Sequence, residues 1–410
     1  MKPDVRSFTI YIDSFAQQTD YDAVQESDNI LSKLVDLFLS GQLDFEPDVT
    51  CWTTVIRGWM RLAKRTKKAA FKAEDLLERM IVLHDDGKIT CEADEILYSS
   101  VLKAHVLAGF MWEAERVLTT MEYLWKQGDE EMKPSVKVLN TVIEGWVRSP
   151  QEEAMERAEA IFHKVLQLHE EECDDDMVSG MYRSLLFGYS KRDNPTQAEK
   201  ILRVMIEKNM KVDSFCFDKV VDGYKSLGDE EKIKNVYPVF ELLESCQKQG
   251  ILQANERVYT SIIRAIAKES KPGMVKKSQT IIRRMQQLYK GGNADVSPTI
   301  FTYNAMLAAC ANSVKLESAE RSAAFNAAFE AFNLLRSSDE LSPDHVTYSV
   351  LIKCSHLLPE GEKRNNLLVA ISKQCAQNEF VDERFLRILE EYAPEALSKK
   401  LLLLLNTRHA

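Results

Sequence analysis

An aromatic residue or leucine, followed by apolar residues three and four positions later and in most copies seven, recurs nine times along the 410-residue chain. The copies start at Phe8, Trp52, Tyr98, Leu139, Tyr182, Phe217, Tyr259, Tyr303 and Tyr348. The second reads Trp52, Val55, Ile56, Trp59 and the fourth Leu139, Val142, Ile143, Trp146, each set forming one stripe of an α-helix. Copies stand 35 to 46 residues apart, too close for any unit to bury its stripe alone, so the units must stack. The expectation is an all-α fold, a right-handed α-solenoid of about nine helix-turn-helix repeats plus a partial C-terminal repeat.

A second stripe follows each first one, as in Ala73 with Leu76, Leu77 and Met80, Ala114 with Val117, Leu118 and Met121, and Ala198 with Ile201, Leu202 and Met205. This is the partner helix of an αα-hairpin, with alanine where the two helices cross. Between units stand Pro47-Asp48, Ala93-Asp94, Pro134-Ser135, Ala254-Asn255, Pro298-Thr299 and Pro343-Asp344. Proline keeps the preceding residue out of helix, and the polar residue after it can cap the next one.

Only 15 Gly and 11 Pro suit helices joined by short turns. The eight cysteines include no CxxC pair and read as core or neutral thiols of a reducing compartment. No stretch is long enough to span a membrane; Leu401 to Leu405, flanked by Lys399, Lys400 and Arg408, reads as the apolar face of a last helix. The chain starts inside the repeat pattern without a transit peptide, so a longer natural precursor is expected. The seven histidines are dispersed, His105 occupying a core position, and no metal, cofactor, small-molecule substrate or catalytic motif is indicated.

Starts such as Pro298-Thr299-Ile300-Phe301-Thr302-Tyr303-Asn304 and Pro343-Asp344-His345-Val346-Thr347-Tyr348-Ser349, followed by a helix of Ala-Glu-x-apolar-apolar-x-x-Met type, resemble P-type pentatricopeptide repeats from residue 3 to about 392. The Trp-Leu-Gly-Tyr pattern of tetratricopeptide repeats is absent. With the anchor aromatic as position 4, the array at 1–381 divides into units 5–48, 49–94, 95–135, 136–178, 179–213, 214–255, 256–299, 300–344 and 345–381, and 382–410 hold a partial repeat and a capping helix. Only 179–213 has the family's usual 35 residues.

Positions 4, 7, 8 and 11 are buried in the first helix, which leaves positions 5, 9 and 13 on the opposite face for a ligand. The resemblance implies single-stranded RNA as partner, read at about one base per repeat by position 5 and the closing residue, with position 2 against the base. Carried over residue by residue, Thr9 with Asp48 and Thr53 with Asp94 look like guanine readers, Asn304 with Asp344 a uracil reader, and Ser99 with Ser135 an adenine reader. Asn140, Thr260, Thr299 and Ser349 fall at reading positions without a matched base, whereas Arg183 with Asp213 and Asp218 with Asn255 match no good pair. Phe215, Phe301 and Val346 are the candidates for packing on bases.

Arg57, Lys103, Arg264 and Lys353 at position 9, with Arg61, Arg148, Lys191 and Lys268 at position 13, are the candidates for phosphate contact. A basic groove inside an acidic solenoid would reconcile RNA with the net charge of −10. The acidic excess, as in Glu152, Glu153, Glu156 and the run Glu170 to Asp176, is expected on the convex edge, where a protein partner could bind. The resemblance further implies an organelle, mitochondrion or plastid, and a role in RNA stabilisation, processing or translation by occupancy. A protein-binding scaffold is the rival reading.

Overall fold

The computed structural model describes residues 5–168, 174–192, 194–226, 236–268, 271–338 and 340–406. His169, Glu170 to Cys173, Arg408 and His409 lie outside the described residues, so the acidic run is represented by Asp174, Asp175 and Asp176. Among the described residues there are twenty α-helices and no strand. The first hairpins are α1 (Val5–Ala16) with α2 (Tyr21–Leu39), α3 (Val49–Ala63) with α4 (Lys68–Asp85), α5 (Glu95–Ala108) with α6 (Met111–Lys126), and α7 (Val136–Arg148) with α8 (Ala154–Leu168). Next come α9 (Asp175–Lys191) with α10 (Pro195–Glu207), α11 (Ser214–Ser226) with α12 (Tyr237–Lys248), and α13 (Glu256–Lys268) with α14 (Met274–Lys290). The last are α15 (Ile300–Ala311) with α16 (Ser318–Ser337), α17 (His345–Cys354) with α18 (Glu362–Gln377), and α19 (Glu383–Tyr392) with α20 (Glu395–Asn406).

The chain forms two compact units, residues 1–188 and 189–410. In the first, α1 packs on α3, α3 on α5 and α5 on α7, each backed by its own hairpin partner. In the second, α11, α13, α15, α17 and α19 pack in succession. Their first helices start where the periodicity places them, with one exception: α9 begins at Asp175, four residues before the expected Ser179.

Caps set the helix starts. Asp48, Asp94 and Asp344 accept the backbone N–H three residues on at 3.0, 2.9 and 2.7 Å, satisfying a donor the helix cannot use. Ser135 departs from the expectation: its hydroxyl donates to Glu95 and makes no cap. Close approach of successive helices is enabled by glycine at position 10. A Cβ on Gly58 would lie 3.1 Å from the Ala16 carbonyl, and one on Gly223 3.1 Å from that of Ser190.

The stripes form the cores. Trp52, Val55, Ile56 and Trp59 are fully buried, as are Leu139, Val142, Ile143 and Trp146, where truncation of one tryptophan would cost ~3–5 kcal/mol. The first copy is the exception: Ile12 is buried, but Tyr11 is 53% exposed and Phe15 half-buried, because no described helix precedes α1 to cover that face. Trp59 donates its indole N–H to Asp28 at 3.2 Å in the core, and burial raises the Asp28 pKa. His105 is a core imidazole, hydrogen-bonded to Glu74, which also pairs with Arg116. Six described cysteines are buried and Cys91 is half-buried, all as free thiols; burial pushes Cys310 up to about 12. Among the described residues no helix is long and apolar enough to cross a membrane.

Candidate nucleic-acid interface

Position 5 is less accessible than the helical wheel implies. Thr53, Asp218, Thr260, Asn304 and Ser349 are all buried. Successive first helices pack side by side, so position 5 falls into the seam between them and the opposite face narrows to positions 2 and 9. Position 2 stays open: Ile96, Phe215 and Phe301 are 43%, 41% and 58% exposed, while Val346 is half-buried.

The first unit holds a cavity of about 290 Å³ across α3, α5 and α7, lined among others by Arg57, Ile96, Ser99, Lys103, Ser135 and Lys137. It brings together the expected pair Ser99 and Ser135 with two expected cations. Arg57, Lys103 and Lys137 are exposed and make no ion pair among the described residues. Ser99 donates to the Ile96 carbonyl at 3.1 Å and Ser135 to Glu95 Oε1 at 3.2 Å. Thr9 and Thr53 likewise donate to the carbonyls of Val5 and Val49 at 2.9 and 2.8 Å.

The second unit holds a cavity of about 410 Å³ across α11, α13 and α15, lined by Asp218, Asp222, Lys225, Glu256, Arg257, Thr260, Ser261, Arg264 and Phe301. Here two of the three lining cations, Arg257 and Lys225, are held by carboxylates. Arg257 pairs with Asp218 at 3.1 Å, and Asp222 pairs with Lys219 and Lys225 at 3.0 and 2.5 Å. Burial would raise the Asp222 pKa, but the two lysines outweigh it and hold the carboxyl below its ordinary value. Arg264 lies 6.0 Å from the centroid of the Phe301 ring, a cation–π contact at the cavity mouth. Glu256 Oε1 accepts from the hydroxyls of Thr260, Thr299 and Thr302 at 2.7, 2.8 and 2.9 Å.

Asn304 and Asp344, expected as one reading pair, touch each other: Asn304 Nδ2 donates to Asp344 Oδ1 at 3.1 Å, and the Thr347 hydroxyl donates to Asn304 Oδ1 at 2.8 Å. Burial opposes ionisation of Asp344, yet the Thr347 and Asn304 hydrogen bonds prevail and lower its pKa. Asn140 reaches Glu144 at 3.4 Å, and the buried Ser349 hydroxyl has no hydrogen-bond partner among the described residues. Phe215 carries Lys219 over its ring at 5.4 Å, and Lys353 lies 5.6 Å from the Tyr392 ring centre.

Position 13 differs most from expectation. Arg61 donates to the Ala16 carbonyl at 2.6 Å and Lys268 to that of Lys225 at 2.9 Å, each reaching the last turn of the preceding first helix. Asn312, at the same repeat position, donates to the Ala267 carbonyl at 2.7 Å. These side chains satisfy orphan carbonyls at the negative ends of neighbouring helices, so Arg61 and Lys268 tie repeats together. Arg148 pairs with Glu144 at 2.9 Å, and Lys191 is exposed. Glu95 and Glu256, both at position 1, escaped the sequence reading; their signal is a carboxylate at a position that no other repeat fills with an acid.

The helix pairs have counterparts in known proteins. A profile of the pentatricopeptide repeat domain matches residues 241–313, and one of the single PPR repeat matches residues 96–124 and 180–210. The chain carries pentatricopeptide repeats in these stretches. It is 22% identical over 262 residues to a chloroplastic pentatricopeptide repeat-containing protein of Arabidopsis thaliana, an alignment covering 56% of the chain and 30% of that relative. Its fold is similar to that of the pentatricopeptide repeat protein PPR10, solved in complex with an 18-nucleotide psaJ RNA element, with a TM-score of 0.50 and 16% identity over 99% of this chain and 54% of that one. A PPR10 variant with three Cys-to-Ser substitutions, bound to the same element, gives the same values. The chain thus spans about a third to a half of the length of these proteins.

Proposed function

We propose that this pentatricopeptide repeat protein binds single-stranded RNA along its first helices and acts by occupying the RNA, without chemistry of its own. The observation that carries the reading is the pair of cavities. In each unit an exposed position 2 side chain, a polar group of position 5 and cations of neighbouring repeats converge on one hollow, joined in the first unit by the closing residue Ser135. Stacking surface, edge-reading polar atoms and phosphate-pairing charge are what single-stranded RNA needs. The RNA-bound PPR10 structures support the same reading.

The hydrogen bonds also rationalise the base assignments. Thr9 and Thr53 spend their hydroxyl protons on their own helices, so with Asp48 and Asp94 they offer only acceptors, which suits guanine. Asn304 keeps one amide N–H beside the second oxygen of Asp344, a donor and acceptor pair suited to uracil. An organelle role, in plastid or mitochondrion, is supported by the chloroplastic relative.

Selection of RNA from a random single-stranded pool tests the reading. Enrichment of a short motif at moderate salt is expected; no enrichment of any RNA would overturn RNA binding and leave the protein-binding scaffold.

A further inference from the structure

Position 1 carries glutamate in two of the nine repeats, Glu95 and Glu256, and each lines one of the two cavities described above. Elsewhere position 1 is Val5, Val49, Val136, Ser179, Ser214, Ile300 or His345. Both carboxylates take the proton of the closing residue of the reading pair. Glu95 Oε1 accepts from the closing residue Ser135, and Glu256 Oε1 accepts from the closing residue Thr299 as well as from Thr260 at position 5. Glu256 Oε2 enters no hydrogen bond among the described residues.

A hydroxyl has one proton and two lone pairs, so alone it can present either polarity to a base. In repeat 7 that choice is removed. The protons of Thr260, Thr299 and Thr302 all point inward to Glu256 or to one another. Repeat 3 matches it: Ser135 points its proton at Glu95 and Ser99 at the Ile96 carbonyl. What remains toward the cavity is lone pairs, with carboxylate charge behind them.

We infer that Glu95 and Glu256 are specificity-determining residues that turn two ambivalent hydroxyl pairs into acceptor-only edges and so select guanine. Guanine alone sets two adjacent donors, N1–H and the N2 amino group, on its Watson–Crick edge. Adenine and cytosine set a ring acceptor beside their amino group, and uracil flanks its N3–H with two carbonyls, so each would meet the site lone pair to lone pair. In repeat 3 this replaces the adenine expected from family resemblance. In repeat 7 the Phe301 face, with Arg264 behind it, supplies the surface against which the purine stacks.

The inference rests on the RNA reading, and one experiment separates the two. RNA is selected from a random pool with the full chain as wild type, Glu95→Met and Glu256→Met, and the motifs are then measured with single-base variants by fluorescence anisotropy. Methionine keeps the length of the side chain but offers the hydroxyls no carboxylate oxygen, which frees the protons that each glutamate held. Expected in the wild-type motif are guanines at the positions of repeats 3 and 7, besides those read by Thr9 with Asp48 and Thr53 with Asp94, and the loss of one of the former two in each variant with about a 10- to 100-fold drop in discrimination at that base. Preferences at the remaining positions stay unchanged, which also shows that the variants fold. Guanine retained at both positions in both variants, or absent from both in the wild type, overturns the inference while RNA binding stands. A pool from which wild type enriches nothing overturns both.

Discussion

The cavity of the first unit and that of the second are built from the same repeat positions but carry their charge differently. Across α3, α5 and α7 the cations Arg57, Lys103 and Lys137 stand exposed, with no ion pair among the described residues. Across α11, α13 and α15, Arg257, Lys219 and Lys225 are engaged by Asp218 and Asp222. A cation already neutralised by a carboxylate releases few counterions when a phosphate arrives, so equal numbers of basic residues give unequal affinity. Counting Lys and Arg along the reading face therefore overstates the second unit.

The largest effect should come from the first of these sets. Arg57→Ala, Lys103→Ala and Lys137→Ala combined should lower RNA affinity by about two orders of magnitude and flatten the salt dependence by about 2 in log–log slope. The matching triple of Lys219, Lys225 and Arg257 should lose less than a tenth as much. Equal losses in titrations from low to moderate salt would break the contrast.

Asp222→Asn should act in the opposite direction, freeing Lys219 and Lys225 to raise affinity a few-fold and steepen the salt slope by about 1. Because the Asp222 pKa lies below its ordinary value, its stabilising ion pairs are present above the unfolded carboxylate pKa and lost only as pH falls through the lower folded value. The wild-type slope should accordingly be constant from pH 7 to about 5.

Arg61→Ala should report on packing rather than on RNA. Losing the bond to the Ala16 carbonyl should destabilise the first unit by about 1 kcal/mol, seen in denaturant titration, with the salt slope of RNA binding unchanged. A slope change as large as that of Arg57→Ala would return Arg61 to the phosphate contacts.

The smallest expected effect is at Asp28. Burial raises its folded pKa above the unfolded value, so its contribution is unfavourable at neutral pH and fades as pH falls toward the unfolded carboxylate pKa. Asp28→Asn keeps an acceptor for Trp59 and should slow hydrogen exchange in α2 and α3 at pH 7, with the difference vanishing near pH 4.

Much of the fold was legible because stripe residues respond to a local rule. Trp52, Trp59 and Trp146 recur at helical spacing and are buried for that reason. Asp48, Asp94 and Asp344 cap helices because capping needs only three residues of chain. Tyr11 broke the rule, since its burial depends on a neighbour and not on its own helix. The site was legible in position and not in state: Ser99 and Ser135 do share a cavity, and Asn304 does meet Asp344, but the seam that buries Thr53 and Thr260 is set by how successive helices pack.

What the sequence determined by itself was the helical hairpin and its phase, because both follow from periodicity and capping within 35 to 46 residues. Tertiary structure decided which polar groups face a ligand. Arg61 reaches 45 residues back to a helix end, Glu256 gathers a hydroxyl 43 residues on, and Asp218 takes Arg257 from the next repeat. A side chain's hydrogen-bonding polarity and charge are settled by its neighbours in space, and in a stacked array those neighbours come from the next repeat.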